Sequence, residues 1–163
     1  MTYAHLIRHC AALIVALSGA AALAPATAAD SPSPTATASD KLATARALIA
    51  DGKWAAAIEE LKKVNDSGSA DWNNLMGYSH RKAKSPDFAT AERHYTEALR
   101  IDAKHRGALE YSGELYLMLG DLAKAEQRLA ALDKACLFSC DEYKDLKAAV
   151  AAFKANGNKY VAK

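Results

Sequence analysis

Four apolar positions repeat at an interval of 34 residues across three successive stretches of this chain. Ala57, Ala91 and Ala125 form one series, and Trp54, Phe88 and Leu122 a second. Leu61, Tyr95 and Leu129 make a third, and Val64, Ala98 and Leu132 a fourth. An interval of that length is the signature of a helix–turn–helix unit. After Asp40, amphipathic stretches of 11–15 residues alternate with short polar breaks, and none keeps the period-two alternation of a half-buried strand. The fold class is therefore all-α. One such unit cannot bury its apolar face alone, so about three must stack and the ends need caps.

Local signals place the breaks. Gly120-Asp121 supplies a C-terminal glycine for one helix and an N-cap for the next. Ser85-Pro86 reads as an N-cap followed by proline at the first helical position. Ser139 with Glu142 reads as a capping box, and Phe138 with Tyr143 as the hydrophobic staple around it. These open a helix over about 140–155 with Tyr143, Leu146, Val150 and Phe153 on one face, and the tail beyond Asn156-Gly157-Asn158 is expected to be loose. Small residues at Ala91, Gly113 and Ala125 mark close helix crossings.

These residues resemble the tetratricopeptide-repeat (TPR) family. The third unit matches best, with Gly113, Tyr116, Gly120-Asp121-Leu122, Ala125 and Leu129 at the family's spacings. The second has Met76-Gly77, Phe88, Ala91, Tyr95 and Ala98, and a degenerate first unit keeps Gly52, Trp54, Ala57 and Leu61. The resemblance implies a short α-solenoid of three repeats within 40–134 (about 40–66, 71–103 and 105–134), closed by a capping helix and tail over 135–163. It also implies a concave surface, lined by the first helix of each unit, that holds a peptide or a partner helix. Carried over position by position, the groove residues are Arg46 and Ile49, then Asn74, Tyr78 and Arg81, then Glu110, Glu114 and Leu117. Leu42, Gly107 and Tyr111 stand where the chaperone-binding subfamily has polar or basic clamp residues, which argues against recognition of a C-terminal carboxylate.

The N-terminus has a different character. Residues 1–9 carry Arg8 and no acid, an apolar run extends from Cys10 to Leu23, and Ala26-Thr27-Ala28 offers a cleavage pattern. This is the form of a secretory signal peptide over 1–29, followed by a Pro/Ser/Thr/Ala linker over 30–39. Its removal makes the protein exported, periplasmic in a Gram-negative cell and secreted otherwise, with no stable membrane insertion. The mature chain has 20 basic and 19 acidic residues. A net charge of +1 gives no broad field for nucleic acid.

Cys136 and Cys140 remain after cleavage, and an even number in an exported protein suggests a disulfide. The competing reading is a thiol-redox or Cu(I) site, since a helix N-terminus lowers thiol pKa. Asp141 and Glu142 beside Cys140 work against it, as does a C-x3-C rather than C-x-x-C spacing. His80, His94 and His105 are dispersed without metal-ligand spacing, so no metal or cofactor is expected. Glu59-Glu60 and Asp141-Glu142 are adjacent, and adjacent helical residues diverge by about 100°, so neither is a facing acid/base pair. Together these features point to a non-catalytic adaptor whose partner is another protein or peptide segment, with self-association through the outer repeat faces left open.

Overall fold

The structure, a computed structural model, describes residues 40–160. Among them run seven helices and no strand: α1 (Ala43–Ala50), α2 (Trp54–Val64), α3 (Ala70–Lys82), α4 (Phe88–Ile101), α5 (Arg106–Met118), α6 (Leu122–Ala135) and α7 (Asp141–Ala155). The predicted signal peptide and linker lie outside the described residues. Helices α1/α2, α3/α4 and α5/α6 pack as three successive hairpins, and α7 packs on both α5 and α6. First helices also approach the next in line, α1 to α3, α3 to α5 and α5 to α7, whereas the backbones of α2, α4 and α6 stand apart, α4 and α6 meeting through the side-chain pair of Glu92 with Lys124 at 3.7 Å. An inner row in contact and an outer row spread apart bend the stack, with the concavity on the side of α1, α3, α5 and α7. The chain is a short α-solenoid.

The 34-residue series explains the packing. Ala57, Ala91 and Ala125 are wholly buried, so each second helix lies close against its neighbour. Leu42, Ala45, Leu61, Trp72, Leu75 and Met76 form a core around the first hairpin and α3. Tyr95, Ala98, Ala108 and Leu115 carry it onward with Ala91, and Leu109, Tyr116, Leu132, Leu146, Val150 and Phe153 close it beneath α7. Leu129 packs half-buried at the edge of that last cluster, as Phe88 does beside Tyr95. Glycine allows α5 to approach α7, because a Cβ on Gly113 would stand 2.6 Å from a Leu146 methyl. Gly77 likewise faces the Tyr95 ring, 2.8 Å from where its Cβ would be.

Polar bonds stitch the units together. Asp71 accepts from Arg46 of the first unit at 3.0 Å and pairs at 2.9 Å with Nε2 of His105 in the third. His105 Nδ1 in turn accepts from the Ala108 amide at 3.0 Å as the N-cap of α5. That leaves the proton on Nε2, where it donates to Asp71. The Trp72 indole donates to the Leu61 carbonyl at 2.7 Å, joining α2 to α3.

Three local expectations are corrected. The N-cap of α4 is Asp87, whose carboxylate accepts from the Thr90 amide at 2.9 Å, so Ser85-Pro86 stays in the preceding loop. Helix α7 starts one residue later than the proposed capping box requires. Its N-cap is Cys140, held extended and disulfide-bonded to Cys136, and no side chain caps it. The disulfide loop therefore turns Phe138 outward, 90% exposed, and no staple forms. Nor is the tail loose up to Tyr160. Gly157 and Asn158 both take positive φ, Asn158 donates back to the Phe153 carbonyl at 2.9 Å, and Tyr160 packs against the last core cluster. Two successive left-handed residues reverse the chain, which glycine and asparagine accept most readily.

Candidate functional site

On the concave side, α3, α5, α7 and the segment after α7 enclose a hollow of about 410 Å³. Helix α3 contributes Tyr78 and Arg81, three residues apart and so on one face. Helix α5 contributes Glu110, Tyr111 and Glu114, α7 contributes Asp145, and Tyr160 closes one side.

Aromatic rings form its spine. Tyr78 and Tyr111 lie 4.5 Å apart between centroids, and Trp54 meets Tyr78 edge-on at 5.7 Å. The Arg81 guanidinium lies 5.2 Å from the Tyr78 centroid and 5.6 Å from that of Tyr111. Arg81 is only 3% exposed and pairs with Glu114 at 2.9 Å. A planar guanidinium can stack on rings and bind a carboxylate together, so this one cation braces the wall of the hollow.

The electrostatics follow from that pairing. Glu114 cancels Arg81, while Glu110 stands buried with no cation of its own. Burial first, then the charges of Glu114, Asp145 and Glu142, push the Glu110 carboxyl up to about 8. Burial and the nearby Glu110 likewise push Tyr111 up to about 12. Three carboxylates, Glu110, Glu114 and Asp145, face two cations, Arg81 and Lys82, so together with the ring faces this surface favours an added cation where Glu110 is ionised.

The eight groove residues expected from sequence separate into two groups. Tyr78, Arg81, Glu110 and Glu114 come together around the hollow. The other four do not line it. Arg46 is spent on Asp40 and Asp71, and Ile49 packs on the first core cluster. Asn74 is 7% exposed beneath the α3–α5 crossing, its amide 3.0 Å from where a Cβ on Gly107 would stand. Leu117 is 1% exposed within the last core cluster, because α7 lies over the end of α5. Sequence reasoning missed Tyr111, Asp145 and Tyr160. Tyr111 was legible one turn after Gly107 and three residues before Glu114. The other two belong to elements outside the repeat pattern, and nothing in their local sequence places them here.

A larger hollow of about 750 Å³ lies toward α4, lined by Trp72, Asn73, Glu92, Arg93 and His94 among others. Two of its polar side chains, Asn73 and His94, bond to each other. His94 Nδ1 is 3.0 Å from Asn73 Oδ1, and the Asn73 amide donates to the carbonyls of Ser67 and Ser69. Burial, then the charge of Arg93 and of His80, lowers His94 to about 4, so the ring is neutral at ordinary pH. This is a structural bolt. Among the described residues no three His, Cys, Asp or Glu side chains cluster as metal ligands.

A tetratricopeptide-repeat family model matches residues 83–150. Among solved structures, the chain is similar to the type III secretion translocator chaperone SycD of Yersinia enterocolitica. The TM-score is 0.62 at 17% identity, over 72% of this chain and 83% of that one. It is also similar to that chaperone in complex with a peptide of the translocator YopD, with a TM-score of 0.58 at 19% identity over 71% and 88%. At such identities the likeness concerns the fold. No curated protein matches the chain.

Proposed function

Because a tetratricopeptide-repeat family model matches residues 83–150 and the chain shares the fold of a similar helical chaperone, we propose that it is an exported, non-catalytic adaptor of that repeat family that holds a segment of a partner protein in its concave hollow. The observation that carries this reading is the hollow itself: ring faces and carboxylates on three packed helices, open to solvent and with no nucleophile–base pair among them. Helices hold side chains with a precision that loops lack, which lowers the ordering cost of binding. Peptide capture by the similar Yersinia chaperone supports the same use of such a fold. The signal-peptide pattern of residues 1–29 supports export, and N-terminal sequencing of the mature protein tests it.

Arg81 and Glu114 make poor handles for a binding test. Removing one partner of a buried ion pair typically destabilises by about 3–5 kcal/mol, so lost binding would report lost folding. Tyr78→Ala and Asp145→Lys are better choices, since Tyr78 is half-buried and Asp145 exposed. Wild type and this double variant are used to capture partners from the exported fraction, with and without reductant. A partner held by wild type, lost by the variant and indifferent to reductant is the expected result. Equal capture by both proteins overturns the concave-face reading. A partner held only through a reductant-sensitive link transfers the function to the thiol-redox or Cu(I) reading of Cys136 and Cys140.

A further inference from the structure

One side of the hollow is closed by the chain itself. Tyr160 lies beyond the last helix, outside any repeat, yet it lines the hollow with Tyr78, Arg81 and Glu114 and rests on the core cluster beneath α7. Its hydroxyl is raised by burial first, then by the charge of Glu114, with Arg81 opposing and Tyr78 adding to the rise. The turn that brings it back is specific. Gly157 and Asn158 supply the reversal, Gly157 donates to the Lys154 carbonyl at 3.2 Å, and the Asn156 amide holds the Lys159 carbonyl at 3.2 Å.

The occupant also has a chemistry. Tyr160 follows Lys159 directly, and Lys163 stands three residues further on. The surface it enters offers ring faces and three carboxylates, Glu110, Glu114 and Asp145, against the cations Arg81, which Glu114 pairs, and Lys82. A ring stacked among tyrosines with an ammonium beside carboxylates fits this surface in both respects.

We propose that the hollow is a receptor for an aromatic side chain on a lysine- or arginine-bearing segment, and that Tyr160 narrows it in the absence of a partner. This rests on the concave-face reading and gives the partner segment its chemistry. A partner must displace Tyr160, so its apparent affinity is reduced by the fraction of molecules with the site closed. As a cation approaches, it favours the ionised form of Glu110, so binding releases a proton and strengthens as pH rises from 6 to 8.

The test uses the full chain carrying Tyr160→Ala and a synthetic peptide of the chain's own sequence from Asn156 onward, Asn-Gly-Asn-Lys-Tyr-Val-Ala-Lys, titrated by NMR. Saturable amide shifts at Tyr78, Glu110, Tyr111 and Glu114 are expected, and wild type should need at least tenfold more peptide for the same shifts. The peptide with alanine for tyrosine should shift none of them. With both lysines changed to glutamate it should bind at least tenfold more weakly. An independent readout needs no substitution: in wild type labelled with fluorotyrosine, excess peptide should move the Tyr160 resonance to its solvent-exposed position. Absence of any shift at millimolar peptide, or equal titration of wild type and Tyr160→Ala, overturns the proposal. Equal binding of the charge-changed peptide overturns its basic component. A captured partner that is lost with Tyr78→Ala and Asp145→Lys, yet unaffected by Tyr160→Ala, would leave the adaptor reading standing and remove this one.

Discussion

At the residue scale, two glycines with similar places in their repeats face different neighbours. A Cβ on Gly77 would lie 2.8 Å from two atoms of the Tyr95 ring and 3.1 Å from the Ala91 carbonyl oxygen. Tyr95 is 1% exposed and backbone cannot yield, so overpacking there should cost about 1–3 kcal/mol. At Gly113 the clash is with the far end of Leu146, a flexible side chain, and alanine recovers up to about 1 kcal/mol of helix propensity. Denaturant titration should therefore find Gly77→Ala clearly destabilised and Gly113→Ala closer to neutral. Glu110 makes a prediction with a definite sign. Its folded carboxyl titrates near 8, against about 4.3 in an unfolded chain, so the folded state holds its proton more tightly. The associated stability is complete below pH 4 and is lost as pH rises toward 8, with a slope of at most about 1.4 kcal/mol per pH unit. Denaturant midpoints across pH 5–8 should fall more steeply for wild type than for Glu110→Gln.

Elements differ in what holds them. Helix α7 is tied to α6 by the bridge from Cys136 to Cys140, whose Cα atoms are 5.7 Å apart. So short a closed loop constrains the unfolded chain little, and chain entropy credits it with only about 2 kcal/mol. The helix also buries Leu146, Val150 and Phe153 against α5 and α6. Leu146 is wholly buried, and its truncation should cost about 2–5 kcal/mol. Hydrogen exchange is thus expected to leave α7 protected in the double variant Cys136→Ser/Cys140→Ser, and to strip that protection first in Leu146→Ala. The reverse order would make the bridge, and not the packing, the anchor of the cap.

At the scale of the whole molecule, the described residues form a quasi-one-dimensional stack in which each hairpin packs on the next in line. A lesion should therefore spread by proximity. Trp72→Ala removes a side chain from the first core cluster and its 2.7 Å bond to the Leu61 carbonyl. Protection from exchange should then drop in α1, α2 and α3 and survive in α5, α6 and α7. Uniform loss along the chain would show a single cooperative unit instead. The same arrangement accounts for the hollow, since it lies where the inner helices of the last two repeats meet the cap.

Much of this was legible in the residues. A buried alanine every 34 positions, flanked by aromatics and leucines at constant offsets, leaves a stacked helical hairpin as the way to bury those faces. Helix ends with their own chemistry, such as Gly120-Asp121, could also be read locally, and Asp121 does accept from the Lys124 amide. The reading reached half of the candidate site because Tyr78, Arg81, Glu110 and Glu114 follow the helical period within single elements. It failed where an element's surroundings decide. Leu117 has the same helical phase as Glu110 and nevertheless packs into the last core cluster instead of lining the hollow, because α7 covers that end of α5. Arg81 resembled a free cation until Glu114 and two tyrosines enclosed it. Phe138 faces solvent because the disulfide directs the entry to α7. Tyr160 reaches the hollow through a reversal over two residues. A periodic pattern reports what each helix must bury. Which face a neighbour then covers, and where a chain end returns, depends on contacts between elements distant in sequence, and only the folded molecule contains those.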